Sequence, residues 1–255
     1  MSKSTYNAEI VAKRWYAGNI YEIIIECEQL ASQTKAGQFL QVACGDGNYL
    51  RRPISIHDVE DSRLSLIFEV KGSGTRFLSQ RKVGEYLNVL GPLGNGFNLD
   101  IEGDALIIGG GIGVFPLFMA AKGKGKKCDA VLGYKTERVV ITNDRFSEVC
   151  RDVVVTTDDG TYGILGTAVA AARSLVVNND YKVIYACGPK PMLKAVHALA
   201  QKYNIPAQVS LEERMACGFG VCLACAVGSH DHEHEGDYVH VCKHGPVFDS
   251  REVDL

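Results

Sequence analysis

From Ile10 to about Val89 the chain is a series of short apolar runs broken by polar turns: YEIIIE, QFLQVA, PISIHDV, RLSLIFEV and EYLNVL. Runs of this length, rich in β-branched and aromatic residues with partial period-two alternation, predict the strands of an antiparallel barrel or sandwich. Gly91-Pro92-Leu93-Gly94-Asn95-Gly96 ends that pattern, because glycine and proline punctuate regular structure. Beyond it, the apolar runs ALIIGG, CDAVLGY, DVVVTTD and KVIYACG are separated by helix-like segments such as LGTAVAAARSLV and KPMLKAVHALAQKY. This alternation predicts a mostly parallel sheet covered on both faces. A short strand, AQVSLEE, follows Pro206 and leads into a cysteine-rich stretch with too few apolar residues for a core of its own. Bound metal is expected to supply the stability that it lacks. The expected architecture is β followed by α/β, with an antiparallel barrel over residues 1–100, a parallel-sheet domain over 101–210 and a small C-terminal segment over 211–255. We find no internal repeat, and low complexity is confined to His230-Asp231-His232-Glu233-His234-Glu235.

Composition narrows the classes. The 255 residues are 46% hydrophobic, enough for two compact domains and an appendage, and the net charge is -3 with no basic stripe. Neither nucleic acid nor an anionic membrane surface is favoured as a partner. Ala105 to Ala121 carries no charge and approaches the length of a membrane span, but its glycines and Pro116 fit a buried strand, a tight turn and a buried helix better. The first residues, MSKSTYNAEIVAKRW, lack the apolar stretch of a secretory signal, and nine cysteines suit a reducing compartment, so a cytoplasmic location is expected.

Four of those cysteines carry the sharpest chemistry. Cys217, Cys222, Cys225 and Cys242 are spaced C-x4-C-x2-C-x16-C, the plant-ferredoxin arrangement for a one-electron 2Fe-2S cluster. Zinc is the alternative, although zinc sites usually pair two short knuckles, whereas here three cysteines crowd into nine residues. Gly218, Gly220 and Ala224 between them let backbone amides approach sulfur. The His-rich run before Cys242 is taken as a solvated insertion.

Two further pairs of loops point to nucleotides. Arg52-Pro53-Ile54-Ser55 opens a strand, where an arginine can clamp a phosphate and a serine can reach a bound ring. Gly72-Ser73-Gly74-Thr75 follows the run RLSLIFEV and opens a short helical stretch, a position suited to pyrophosphate. Together they suggest a dinucleotide flavin. Gly109-Gly110-Gly111-Ile112-Gly113 and Cys187-Gly188-Pro189 each follow a buried strand, at the edge where ligands gather in open α/β sheets. GGGIG is not the G-x-G-x-x-G fingerprint, so a tight packing turn is the other reading. His57, His197, Asp158 and Asp159 are assigned to surface or packing, and no general base for substrate chemistry emerges. Cys27, Cys44, Cys128 and Cys150 are expected to be buried free thiols.

With RPIS at 52–55, GSGT at 72–75, GPLGNGF at 91–97, GGGIG at 109–113, TDDGTYG at 157–163, CGPKPM at 187–192 and ERMACGFGVCLAC at 213–225, the chain resembles the ferredoxin-NADP reductase superfamily. Within it, the resemblance is to the electron-transfer subunits of class B dihydroorotate dehydrogenases, over nearly the whole length. That resemblance implies FAD on Arg52, Pro53, Ile54, Ser55, Ile67, Phe68, Glu69, Gly74 and Thr75, with Arg52 on phosphate and Ser55 near the reactive ring edge. It implies NAD on Gly109, Gly110, Gly111, Ile112, Gly113, Cys187, Gly188 and Pro189, and the 2Fe-2S cluster on the four cysteines. It also implies an FMN-containing catalytic subunit as partner, in a heterotetramer with two of each chain, oxidising dihydroorotate to orotate in pyrimidine biosynthesis. Electrons would pass through the cluster and FAD to NAD+. The long gap before Cys242 departs from the family pattern. Lys135, Glu137 and Arg138 leave NAD or NADP open on the residues alone. The competing readings are a flavin and iron-sulfur subunit of a ferredoxin- or sulfur-linked NAD(P)H oxidoreductase, and a zinc-bound interaction module.

Overall fold

The computed structural model describes residues 4–230 and 238–255, so most of the His-rich run lies outside the described residues. Its N-terminal strands are β1 (Ser4–Ala17), β2 (Ile20–Glu26), β3 (Phe39–Val42), β4 (Arg52–Ser55), β5 (Asp58–Glu60), β6 (Arg63–Glu69) and β7 (Tyr86–Leu93), with helices α1 (Glu28–Ala31) and α2 (Ser73–Ser79) in the connections. They form one curled antiparallel sheet in the order β4-β3-β7-β1-β2-β6-β5. Ile10, Ile23, Ile25, Leu40, Val42, Leu64 and Leu66 fill its inside. Two features differ from the sequence pattern. β1 is a long strand that was not among the expected runs, because register shifts after Ile10 and Trp15 break its alternation. PISIHDV divides into β4 and β5, with the buried pair Ile56 and His57 between them.

The second sheet contains β8 (Asp104–Gly110), β9 (Cys128–Tyr134), β10 (Asp152–Thr157), β11 (Ile164–Leu165), β12 (Tyr181–Cys187) and β13 (Ala207–Ser210), all parallel, with helices α3 (Phe118–Lys124), α4 (Asn143–Val149), α5 (Ala168–Asn178) and α6 (Lys190–Tyr203). Alternate residues of β8 serve opposite faces, as a pleated strand requires. Leu106 and Ile108 pack with Ala172 and Val196 of α5 and α6, while Ala105 and Ile107 pack with Phe118 and Phe146 of α3 and α4. Being buried on both sides explains why these strands are continuously apolar. α5 starts where the Thr167 hydroxyl accepts the Ala170 amide at 3.3 Å. α6 ends at Asn204 in the left-handed conformation, φ 52°. Among the described residues, no helix is long and apolar enough to cross a membrane.

The cysteine-rich segment folds onto this second body. β14 (Ala226–Gly228) and β15 (Tyr238–His240) make a hairpin, and β16 (Val247–Asp249) runs antiparallel to β13 at the sheet edge. Cys225, Val227, Val239, Val241, Cys242 and Phe248 belong to the same core cluster as Leu199 and Val209. The segment therefore shares a core with the α/β domain in place of building one.

The barrel and the α/β domain meet through polar as well as apolar contacts. Glu22 of β2 has no exposed surface, and its carboxylate accepts from Ser65 Oγ at 2.6 Å, Tyr16 Oη at 2.8 Å, and Arg145 of α4 at 3.1 and 3.2 Å. His57, also buried, contributes Nδ1 to the Phe115 carbonyl at 2.8 Å and stacks on Phe118 with centroids 4.9 Å apart.

Candidate functional site

A cleft opens between the two domains. From the barrel it is lined by Phe39, Pro53, Ile54, Ser55, Ile67, Phe68, Glu69 and Thr75, and from the α/β domain by Ile112, Gly113, Phe115, Pro116, Cys187 and the stretch Ser210 to Met215 without Arg214. The strand register explains the convergence. In β3 and β4, Phe39 lies opposite Ser55, and directly opposite residues share a sheet face. On the other side, β8 and β12 are neighbours in the α/β sheet, and the strand order reverses between them, so the loops at their carboxyl ends frame a crevice.

Arg52 and Gly74 sit together at the rim. A Cβ at Gly74 would stand 2.5 Å from Arg52 Nε, so only glycine lets the guanidinium lie across the start of α2. Asn48 ties the two loops, its Oδ1 accepting from Ser73 Oγ at 2.7 Å and from Arg52 at 3.3 Å. The Thr75 hydroxyl accepts the amides of Lys71 and Gly72 at 2.9 and 3.2 Å. Those two amides therefore shape the loop and are not offered to an anion. The pairing of a guanidinium with a glycine-lined backbone suits a diphosphate, and the apolar walls beyond it suit a flat ring.

The glycines of GGGIG divide in role. β8 runs into a 3-10 turn over Gly111–Leu117 before α3 begins. A Cβ at Gly109 would meet Val114, and one at Gly110 would meet Met192 Sδ at 2.5 Å. Gly113 faces the Cys187 carbonyl oxygen at 2.5 Å and the Gly188 nitrogen at 2.6 Å from its missing Cβ. Packing between the two loops thus accounts for Gly110 and Gly188, and packing against the following turn for Gly109, whereas Ile112, Gly113 and Cys187 reach the cleft. Gly111 is exposed with φ 57°, and Pro189 is exposed beside it on the same sheet edge. Burial pushes the Cys187 thiol up to about 12, against the opposing hydrogen bond with Ser210. A thiol so protonated is no nucleophile. Phe39, Phe115, Ser210, Glu212 and Met215 line the cleft without having been singled out from sequence. Ser210 alone had a usable signal, as the last residue of a parallel strand.

The four spaced cysteines gather beyond Met215. Cys217 and Cys222 are half-buried and Cys225 and Cys242 buried. The Cys217 and Cys222 sulfurs are 3.4 Å apart, and Cys225 shares a hydrogen bond with Cys242. Burial raises the Cys217 thiol, but the amides of Cys222, Phe219 and Val221 outweigh this and hold it down at about 6. Burial and the neighbouring Cys225 push Cys242 up to about 12. Among the described residues, no three His, Cys, Asp or Glu side chains converge on a single point that would hold one ion. The pairs Cys217 with Cys222 and Cys225 with Cys242 match the two thiolates that each iron of a 2Fe-2S cluster takes. Amides directed at sulfur are the expected environment for a cluster whose charge they stabilise.

Elsewhere, His197 Nδ1 meets Ser250 Oγ at 3.0 Å on the far side of α6, and Asp159 is held by Thr161 in the TDDGTYG turn. Neither borders the cleft. Lys135, Glu137 and Arg138 are exposed beyond β9, and the Glu137 amide donates to Thr161 Oγ1 at 2.8 Å. Cys44, Cys128 and Cys150 are buried free thiols and Cys27 is half-buried.

Residues 212–254 match the family profile described as the iron-sulfur cluster binding domain of dihydroorotate dehydrogenase B. The chain is 42% identical over 258 residues to the protein of Streptococcus mutans serotype c named dihydroorotate dehydrogenase B (NAD(+)), electron transfer subunit, with 98% of each chain covered. It is 40% identical over 249 residues to the protein of the same name from Caldanaerobacter subterraneus subsp. tengcongensis, covering 96% of this chain and 97% of that one. Among solved structures it is similar to that of an NADH-dependent reduced ferredoxin-NADP oxidoreductase studied for flavin-based electron bifurcation, with a TM-score of 0.84, 28% identity, and coverage of 98% of this chain and 91% of that one.

Proposed function

Because the chain belongs to the family of electron transfer subunits of NAD(+)-dependent dihydroorotate dehydrogenase B, we propose that it carries electrons from a catalytic partner to NAD+ through a 2Fe-2S cluster held by Cys217, Cys222, Cys225 and Cys242 and an FAD seated in the interdomain cleft. The observation that carries this reading is continuity: Met215, in the wall of the cleft, is two residues from Cys217, and Cys187 and Gly113 line the same cleft from the neighbouring loops of the α/β sheet. A flavin supplies the conversion between single electrons and a hydride. Arg52 holds its phosphate beside Gly74, and Ser55 and the Ile67, Phe68 and Glu69 edge orient the ring. Phe39, Pro53 and Phe115 exclude water. NAD binds across the carboxyl ends of β8 and β12, with Gly111, Ile112, Gly113, Cys187 and Pro189 nearest. We further infer an FMN-containing catalytic subunit, two of each chain, working in the cytoplasm. Electrons enter beside Cys217 and Cys222, where Val221 and Leu223 are 76% and 63% exposed, an apolar collar suited to a partner surface.

The test is anaerobic purification of the untagged chain with its native partner, followed by assay for dihydroorotate-dependent NAD+ reduction. The expected result is activity, with bound FMN on the partner and FAD and iron on this chain. Recovery of FAD and iron with another partner and no such activity would overturn the dihydroorotate assignment while leaving electron transfer standing.

A further inference from the structure

Gln41 lies in the middle of β3 with no exposed surface, and neither its Oε1 nor its Nε2 has a hydrogen-bond partner. A primary amide in that position bears the full desolvation penalty of both its ends unless something else pairs it. What covers it is the cysteine loop. At Gly218, φ 80°, a Cβ would stand 2.5 Å from Gln41 Cγ and 2.6 Å from its Nε2. The loop therefore keeps a glycine at the one point where the amide needs room. Gly218 follows Cys217, whose sulfur already receives the amides of Val221 and Cys222 at 3.4 and 3.5 Å.

The same side chain belongs to the cleft's own row. Residues two apart on a strand share a face, so Gln41 projects beside Phe39, and its partner across the ladder is Pro53 as that of Phe39 is Ser55. Phe39, Pro53 and Ser55 all line the cleft. Gln41 continues that row under the loop bearing the first cysteine, a place where neither barrel nor loop supplies it a partner.

We propose that Gln41 is a positioning residue for the cluster: its amide N–H donates to cluster sulfur through the gap left at Gly218 and raises the cluster's midpoint potential. The inference rests on the reading of the four cysteines as 2Fe-2S ligands. Hydrogen bonds to sulfur stabilise the reduced, more negative form, so removing one makes reduction harder. In the holo complex, Gln41→Leu is expected to lower the reduced-to-oxidised ratio of the cluster at a fixed potential about tenfold, which is about 59 mV for a one-electron couple. The FAD potential and iron content stay as in the wild type. A merely space-filling role would leave the cluster potential unmoved, and that result would overturn the proposal.

A measurement on the unmodified protein covers the case in which the variant does not fold. Wild-type complex labelled with 15N only at glutamine side chains is reduced and read by pulsed electron paramagnetic resonance. A 15N coupling to the cluster spin is expected, and a normal 2Fe-2S signal without it rules out Gln41 alone. Absence of any 2Fe-2S signal from the wild type would instead overturn the ligand reading on which the role of Gln41 depends.

Discussion

His57 ties pH to the docking of two domains. Its Nδ1–H donates to the Phe115 carbonyl, Nε2 has no partner, and burial holds its pKa down to about 4 from 6.5. Above pH 6.5 the ring is neutral in both folded and unfolded chains and contributes nothing to the pH dependence. Between 6.5 and 4 the unfolded chain takes up the proton first, so stability falls as pH falls, by about 3 kcal/mol at most. Urea unfolding from pH 7.5 to 4.5 should show this slope, and His57→Phe should flatten it. Gly113 poses a steric constraint of a different kind. Its Cβ would strike backbone on the Cys187 loop at 2.5 Å, with no flexible side chain to yield. Gly113→Ala is expected to cost about 1–3 kcal/mol and to raise the KM for NAD+, measurable by calorimetry and steady-state kinetics. None of this is visible in a lone His or Gly letter, and the same holds for Glu22, which in YEIIIE resembles an ordinary outward-facing polar residue.

The elements that were legible are those whose apolar period matches their surroundings. α6 covers Lys190–Tyr203 because Leu193, Val196, Leu199 and Ala200 recur on one helical face, and β8, β9 and β12 are apolar throughout because both their faces are covered. β1 escaped notice because its bulges shift alternation midway and its outer half carries Lys13 and Arg14. The cysteine segment was legible in chemistry but not in support: its spacing announces the ligands, while its attachment through β16 to β13 is a long-range pairing that three residues cannot signal. That attachment sets an expectation. Cys225→Ser should abolish the cluster and the dihydroorotate-dependent reduction of NAD+, yet leave the segment docked by Val227, Val239, Val241 and Phe248. FAD content and NADH-dependent dye reduction should then remain near the wild-type level, as absorbance and assay of the purified variant will show.

For the molecule as a whole, the buried Glu22 and Arg145 pair is the polar clasp between barrel and α/β domain. Burial raises the Glu22 carboxyl, but Arg145, Ser65 and Tyr16 together hold it below its usual 4.5. Its stabilisation is therefore complete above pH 4.5 and is lost as pH falls through the lower folded value, a window that opens as that of His57 is closing. Arg145→Met would leave the buried carboxylate with only the exposed Arg14, 3.5 Å away, as its cation, at a cost of about 3 kcal/mol, and Glu22→Gln in the same chain should recover much of it in a double-mutant cycle followed by thermal unfolding. Architecture of this kind, barrel then parallel sheet, was legible because the change of period near residue 100 is abrupt; the clasp was not, since its two partners are 123 positions apart. One consequence concerns how the protein is made. The cleft takes walls from β4 and β6, then from the loop after β8, and last from Ser210 to Met215 and Pro246. On the ribosome the barrel is finished while the opposite wall is still unsynthesised, so a complete seat for the prosthetic group exists only once the chain has been extended through Pro246.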